Sequence, residues 1–208
     1  MGLGRWYEYR VLPRCIDLGM RGTMFRDLRP TCVGKARGRV LELGFGSGLN
    51  LPHYSAEVSE VIAVDPAMLG RRLARRRIAD APFPVHFAEL DGDHLGIDDA
   101  SVDCVVSTWT LCTVPNAART LAEIERVLKS GGSFRFLEHG RAPDSSVARW
   151  QDRLNPIQGC LFGGCQLDRR IDELVETARI GEVSCETFYA GRPRVFTFHY
   201  RGSTTKEG

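Results

Sequence analysis

Short apolar runs alternate along this chain with longer stretches of helical period. Five runs have strand length: Arg39–Leu43, Glu60–Val64, Pro84–Leu90, Val102–Ser107 and Ser133–Leu137. They are separated by glycine, proline and acidic punctuation. Val102–Ser107 is apolar enough to be a central strand buried on both faces. Between the runs, Asn50–Tyr54 begins a helix that Pro52 interrupts early, and Ala67–Ile78 reads as a second helix. Asn116–Leu128 is amphipathic, with Leu121, Ile124 and Leu128 on one side, and Lys129-Ser130-Gly131-Gly132 reads as its glycine stop. Strand and helix in turn predict an α/β sheet of mostly parallel strands.

The flanks extend this picture. Trp6, Tyr9, Val11, Leu12, Ile16, Leu18 and Met20 follow a loose helical pattern broken by Pro13. Gly19 and Gly22 separate it from Met24, Phe25 and Leu28. One or two helices ending near Pro30 are expected here, serving either as a lid or as an apolar prop against the sheet. Residues 145–178 read as helices with an inserted turn. Glu182–Tyr189 and Val195–Tyr200 read as two last strands joined at Gly191-Arg192-Pro193. The expected division is an N-terminal helical cap over 1–37, a principal domain over 38–202 and a mobile polar tail over 203–208.

Composition narrows the setting. The chain has 208 residues, 43% hydrophobic, with a net charge of +2. That suits one domain with a sizeable core and implies no general affinity for nucleic acid or membrane. Arg71, Arg72, Arg75, Arg76 and Arg77 cover more than one face of their helix, too diffuse for RNA. The seven cysteines include no Cys-x-x-Cys pair. Cys104 and Cys112 fall in apolar runs, and Cys160 and Cys165 lack histidines at zinc-finger spacing. A reducing compartment and no metal are expected. No run reaches transmembrane length, and the N-terminus has neither the apolar core of a secretory signal nor the serine or threonine of a myristoylation site. The expectation is a cytoplasmic protein; a peripheral membrane contact through Trp6, Tyr7 and Tyr9 is the alternative.

The chemistry gathers at Val40-Leu41-Glu42-Leu43-Gly44-Phe45-Gly46-Ser47-Gly48-Leu49-Asn50. A strand runs into a loop with glycine at every second position, where a ligand can lie against bare backbone. No lysine follows as in a Walker loop, and the glycine of a dinucleotide fingerprint is replaced by Leu49. The next strand ends in Asp65-Pro66, 17 residues beyond Gly48. A carboxylate at that edge can accept from two vicinal hydroxyls, or cap a helix. Asp91-Gly92-Asp93-His94-Leu95 through Asp99, Ser101 and Asp103 forms a third motif.

Together these motifs resemble the class I S-adenosylmethionine-dependent methyltransferases. The resemblance implies S-adenosyl-L-methionine as cofactor and S-adenosyl-L-homocysteine as product. It implies a Rossmann-like, seven-stranded, mostly parallel sheet with one antiparallel strand and helices on both faces. Glu42, Gly44, Phe45, Gly46, Ser47, Gly48 and Asn50 would lie by the methionine part, Asp65 and Pro66 by the ribose, and Asp91 and Gly92 by the adenine. Thr108 would mark the edge where cofactor and acceptor meet, with Trp109 as a cofactor contact, acceptor wall or core aromatic.

Leu111-Cys112-Thr113-Val114, Phe136-Leu137-Glu138-His139 and the run Phe162-Gly163-Gly164-Cys165-Gln166-Leu167-Asp168-Arg169 look like a subgroup of small thiol S-methyltransferases. Its mammalian members carry an apolar N-terminal anchor, and none is expected here. Its glycine loop usually has cysteine and threonine where Phe45 and Ser47 stand, changes that leave the backbone chemistry untouched. The likeness implies a small, fairly apolar thiol as acceptor. Quinones, phenols or phospholipid amines are the alternative acceptors, and a cofactor-binding module without turnover is the alternative from another class. No nucleic acid and no obligate protein partner are expected. Glu138 and His139 are a polar pair at the ligand edge suited to acid–base work, with His139 as proton acceptor, or else a loop anchor and a scaffold residue. Trp150, Leu154, Ile157, Leu161 and Phe162 either line an acceptor pocket or close the core.

Overall fold

The computed structural model describes Tyr7 and residues 11–88, 90–91 and 94–208. Helices α1 (Leu12–Gly19) and α2 (Thr23–Val33) come first. They are followed by β1 (Gly38–Leu43), β2 (Val58–Val64), α3 (Met68–Ala79), β3 (Val85–Phe87) and the short pair β4 (Leu90–Asp91) and β5 (His94–Leu95). The second half holds β6 (Val102–Thr108), α4 (Ala117–Val127), β7 (Leu128–His139), α5 (Ser145–Leu161), α6 (Ile171–Thr177), β8 (Val183–Tyr189) and β9 (Phe198–Thr205).

Seven strands form one sheet in the order β3-β2-β1-β6-β7-β9-β8. From β3 to β7 all pairings are parallel, and β9 runs antiparallel to both of its neighbours. This is the expected Rossmann-like sheet with one reversed strand. Side chains alternate across it. Leu41, Val105, Phe134 and Phe136 face one core, built with Leu121 and Ile124 of α4 and Ile171 and Val175 of α6. Val40, Cys104, Val106 and Leu137 face the other, built with Cys32 and Val33 of α2 and Ala74 of α3. Side chains such as Leu121 and Ile124 are fully buried, each worth about 1.5–3 kcal/mol. The start of α4 is fixed by Asn116, whose Oδ1 accepts from the Arg119 N–H at 3.1 Å.

Three expectations are corrected. The helix expected from Asn50 is only a 3₁₀ turn, Leu51–His53. Pro52 has no N–H to continue it, and Tyr54 is already extended. α2, which precedes β1 in the chain, packs on β6 and β7 and also meets this turn. The glycines after α4 do not stop the helix. α4 passes straight into β7: Leu128 pairs with Val102, Ser133 pairs with Cys104, and residues 129–132 form a bulge between them. The 203–208 stretch, expected as a mobile tail, instead carries β9 on through Thr205. Beyond it, the Lys206 N–H donates to the Gly132 carbonyl, and its Nζ donates to the Glu125 and Leu128 carbonyls. Among the described residues no helix is long and apolar enough to cross a membrane. Trp6 and Tyr9 lie outside the described residues; the Tyr7 hydroxyl donates to the Leu161 carbonyl at 3.0 Å.

Candidate functional site at the sheet edge

The glycine loop sits at the C-terminal end of β1. Gly44 and Phe45 donate their N–H groups to the Val64 carbonyl, tying the loop to β2. Gly44, Gly46 and Gly48 all have positive φ. Their surroundings differ. A methyl at Gly44 would run into the Thr110 hydroxyl, and one at Gly48 would press on Leu51 and Phe45 at 3.1 Å. A methyl at Gly46 would meet nothing nearer than 3.8 Å, so the backbone there borders open space. Phe45 itself points inward, edge-on to Phe87 with ring centres 5.4 Å apart, so only its backbone belongs to the loop face.

Asp65 spans the two loops. One oxygen accepts from the Gly46 N–H and the other from the Ala67 N–H, both at 2.7 Å. Each oxygen keeps a further lone-pair direction, which suits a vicinal diol. Burial pushes this carboxyl up, and the two N–H bonds oppose that shift. Pro66 beside it is exposed. The loop bordering open space and the half-engaged carboxylate fit the methionine and ribose parts of S-adenosyl-L-methionine. Asp91 has its backbone in β4, but its side chain lies outside the described residues, as do Gly92 and Asp93.

Alternation sends Glu42 and Thr108 to the α2 face, beneath the loop. Glu42 is buried, with Oε1 accepting from Asn50 Nδ2 at 2.9 Å and Oε2 from the Tyr54 hydroxyl at 2.8 Å. Asn50 also donates to Thr108 Oγ1 at 2.9 Å and accepts from Arg29 Nη1 at 2.6 Å. Burial pushes Glu42 up to about 7 and Arg29 down to about 10. Glu42, Asn50 and Thr108 are thus a polar floor that holds the loop. Ser47 is engaged from another side. Its hydroxyl donates to Asp17 of α1 at 2.6 Å, and its carbonyl accepts from Arg77 of α3 at 2.8 Å. Asp17 is 6% exposed. Burial raises it, but the Ser47 and Arg21 hydrogen bonds and the Arg21 and Arg77 charges hold it below the usual carboxylate range. α1 is therefore latched to the glycine loop by its own acid.

Glu138 and His139 are neighbours on β7, so they point to opposite faces. Glu138 is wholly buried on the α4 side. Its Oε1 accepts from the Ser107 hydroxyl at 2.6 Å and the Thr110 N–H at 3.1 Å, and its Oε2 from the Cys112 N–H at 3.3 Å. This makes it the anchor of the turn after β6. His139 faces the α2 side among aromatic rings. His199 lies 6.0 Å from it, centre to centre, and 6.1 Å from Trp109; Phe188 stacks on His199 at 5.8 Å. Phe25 of α2 packs edge-on to Trp109 at 5.1 Å, and Arg29 lies over its face at 4.9 Å. Trp109 holds a positive φ of 51°, a strained conformation for a bulky residue. Trp109 Nε1, His139 Nε2 and His199 Nε2 are buried with no hydrogen-bond partner among the described residues. Such orphaned polar atoms are rare in a plain core. His199 Nδ1 lies 2.8 Å from the Thr197 carbonyl and must donate to it, which leaves Nε2 as a bare acceptor. Burial holds His199 down to about 4.

The Gly163–Arg169 segment closes the edge. The Gln166 N–H donates to the Cys112 carbonyl at 2.9 Å, Leu167 is fully buried, and Arg169 Nη1 donates to the Leu111 and Val114 carbonyls. Cys165 Sγ lies 4.0 Å from His139 Nδ1 and 3.8 Å from Cys112 Sγ. Of the apolar surface expected from α5, Trp150, Ile157, Leu161 and Phe162 are exposed. The sequence pattern singled out none of Asp17, Arg29 or His199. Only His199 carried a signal, as the polar member of an alternating strand.

The chain is similar to known proteins. Residues 41–136 match the family described as "Methyltransferase domain". The chain is 32% identical over 172 residues to the thiol S-methyltransferase TMT1A of Homo sapiens, covering 80% of this chain and 70% of that protein. It is 30% identical over 170 residues to a phosphatidylethanolamine N-methyltransferase of Cereibacter sphaeroides, covering 80% of each. Among solved structures, a Haemonchus contortus N-methyltransferase in complex with phosphomonomethylethanolamine and S-adenosylhomocysteine superposes with a TM-score of 0.74. It is 14% identical, and the match covers all of this chain and 61% of that one.

Proposed function

Because the chain belongs to the class I S-adenosylmethionine-dependent methyltransferases and uses S-adenosyl-L-methionine, we propose that it methylates a small, fairly apolar thiol, with His139 as the proton acceptor. The observation that carries this reading is the buried Nε2 of His139, without a hydrogen-bond partner among the described residues, beside His199, whose ring also meets Trp109 and Phe188. Similarity to a thiol S-methyltransferase over 80% of the chain supports it.

When bound, the cofactor supplies an electrophilic methyl group on a sulfonium leaving group. The protein's share is placement and the fate of one proton. The Gly44–Gly48 loop would hold the methionine part, Asp65 the ribose hydroxyls, and Asp91 and Gly92 the adenine. Aromatic rings would receive the acceptor's apolar body, and His139 Nε2 would take the thiol proton. A thiol with pKa near ~8.5 is already a few per cent thiolate at neutral pH, so one weak base suffices. His199 is too weak a base for that step, because burial favours its neutral form. Residues 1–37 would form the cover of this site, and the sheet domain from 38 through the end of β9 at Thr205 the catalytic unit.

The test is turnover with alkyl thiols, a quinol, a phenol and a phospholipid amine, alongside calorimetry with S-adenosyl-L-methionine. Thiols should be the best acceptors. His139→Ala should lower kcat at least tenfold with little change in cofactor Kd, and Asp65→Ala should abolish cofactor binding. The similarity to a phosphatidylethanolamine N-methyltransferase supports the second reading. Faster turnover of the amine would establish it in place of the first. Cofactor binding with no turnover of any acceptor would overturn both.

A further inference from the structure

A thiol pair at the sheet edge has no part in the proposed methyl transfer. Cys165 Sγ and Cys112 Sγ are 3.8 Å apart, and His139 Nδ1 is 4.0 Å from Cys165 Sγ on its other side. The two cysteines are held as neighbours by the backbone bond from the Gln166 N–H to the Cys112 carbonyl. They are not equivalent. Cys112 is 1% exposed, and its N–H is bound by Glu138. Cys165 is partly open to solvent and follows Gly163 and Gly164, both at positive φ.

We propose that Cys165 is a hydroperoxide-reactive thiol and Cys112 its resolving partner, so that a peroxide converts the pair into a disulfide across the turn after β6. The roles follow from placement: the accessible sulfur meets the oxidant, and the buried one waits behind it. Electrostatics point the same way. The Cys112 S–H bond and the His139 contact pull the Cys165 thiol below its ordinary range, and the same Cys112–Cys165 hydrogen bond, together with burial, pushes Cys112 up. The thiolate is the attacking form.

The step balances. Cys165 thiolate attacks the distal oxygen of ROOH; an S–O bond forms, the O–O bond breaks, and the RO⁻ released takes a proton from solvent. Sulfur is oxidised by two electrons and the peroxide is reduced to the alcohol. Cys112 then gives up its proton and attacks the Cys165 sulfenic sulfur. The S–S bond forms as the S–O bond breaks, and the departing hydroxide carries the proton away as water. The sulfurs must approach from 3.8 Å to about 2.05 Å. The paired glycines before Cys165 permit that shift, since neither carries a side chain to resist it.

The test is peptide mapping of the full reduced chain treated with one equivalent of hydrogen peroxide, free thiols being alkylated before digestion. A Cys112–Cys165 linked peptide should dominate. In Cys112→Ser, Cys165 should be recovered as a dimedone adduct of its sulfenic acid; in Cys165→Ser, Cys112 should be recovered alkylated. Before any oxidant, iodoacetamide at pH 6.5 should label Cys165 at least tenfold faster than Cys112. Cys15, Cys160 and Cys185 are exposed and act as internal controls. Oxidation confined to those three, with Cys112 and Cys165 both recovered as thiols, would overturn the proposal. Over-oxidised Cys165 beside an intact Cys112 thiol would overturn the resolving role. The wild-type map decides the matter even if a variant fails to fold.

Discussion

Glu42 offers a measurement in which burial and hydrogen bonding pull in opposite directions. The carboxyl is 1% exposed, accepts from Asn50 and Tyr54, and has Arg29 beyond Asn50. Burial is the largest influence and pushes it up to about 7 from an ordinary 4.5. At 1.36 kcal/mol per pKa unit, that difference amounts to about 3 kcal/mol. The sign follows from proton binding. Between 4.5 and 7 the folded chain binds more protons at this site than the unfolded chain. The stability contributed is therefore fully present below about 4.5 and lost as pH rises through about 7. In Glu42→Gln the amide oxygen can accept from Asn50 and the amide nitrogen can donate to the Tyr54 oxygen, so both contacts survive without a titrating group. Urea unfolding of both proteins at intervals from pH 4.5 to 8 gives the difference curve. Subtraction removes the groups they share, among them Asp65 and Glu138, which burial also pushes up. The variant should gain about 3 kcal/mol on the wild type between pH 5 and 8. A difference curve flat with pH, or one falling in that window, would refute the assignment.

Three further outcomes can be checked on the same material. Glu138→Ala should cost about 4 kcal/mol in urea unfolding, because it strips buried acceptors from Ser107, Thr110 and Cys112; a loss below ~1 kcal/mol would show that the turn does not depend on it. Gly46→Ala should weaken cofactor binding at least tenfold in calorimetry with only ~1 kcal/mol of stability lost, whereas Gly44→Ala should unfold first, because its methyl would strike Thr110. Asp17→Ala should speed amide hydrogen exchange in residues 44–48, since it removes the bond to Ser47 and the ion pairs with Arg21 and Arg77; unchanged exchange there would mean that α1 does not restrain the loop.

The strands and the loop were legible because their signals are local. Apolar runs of strand length, glycines at alternate positions and an acid at the end of β2 each report on a few adjacent residues. The turn at Leu51–His53 was not legible in the same way. Pro52 warns of an interruption, but only tertiary packing makes α2 the element that meets this turn. The glycines at 131–132 misled for a related reason. A positive-φ glycine ends a helix or forms a bulge with equal ease, and here the Lys206 backbone pairs with both glycines. Asp17 was invisible because an acid on a short amphipathic helix is ordinarily solvated, and its partner Ser47 is 30 residues away.

Glu138 and His139 show how far period alone reaches. Phe134 and Phe136 fix one face of β7, so an extended strand must send Glu138 with them and His139 the other way. Period 2 thus separates two residues that look like a pair and makes a shared acid–base role geometrically unnatural. It cannot say what each side chain meets. That depended on segments far along the chain: the turn at 110–112 for Glu138, and β9 with the Cys165 loop for His139. The Gly-Cys-x-Leu-x-Arg run acquires its physical meaning there. Leu167 anchors it in the core, Arg169 binds the carbonyls of Leu111 and Val114, and Gly164 lies so close to the Thr113 carbonyl that a methyl would come within 3.1 Å. Leu167 and Arg169 hold the segment against the same turn that Glu138 fixes through the Thr110 and Cys112 N–H groups. Two anchors on one turn set where Cys165 stands beside His139, so loosening either should alter the chemistry of both.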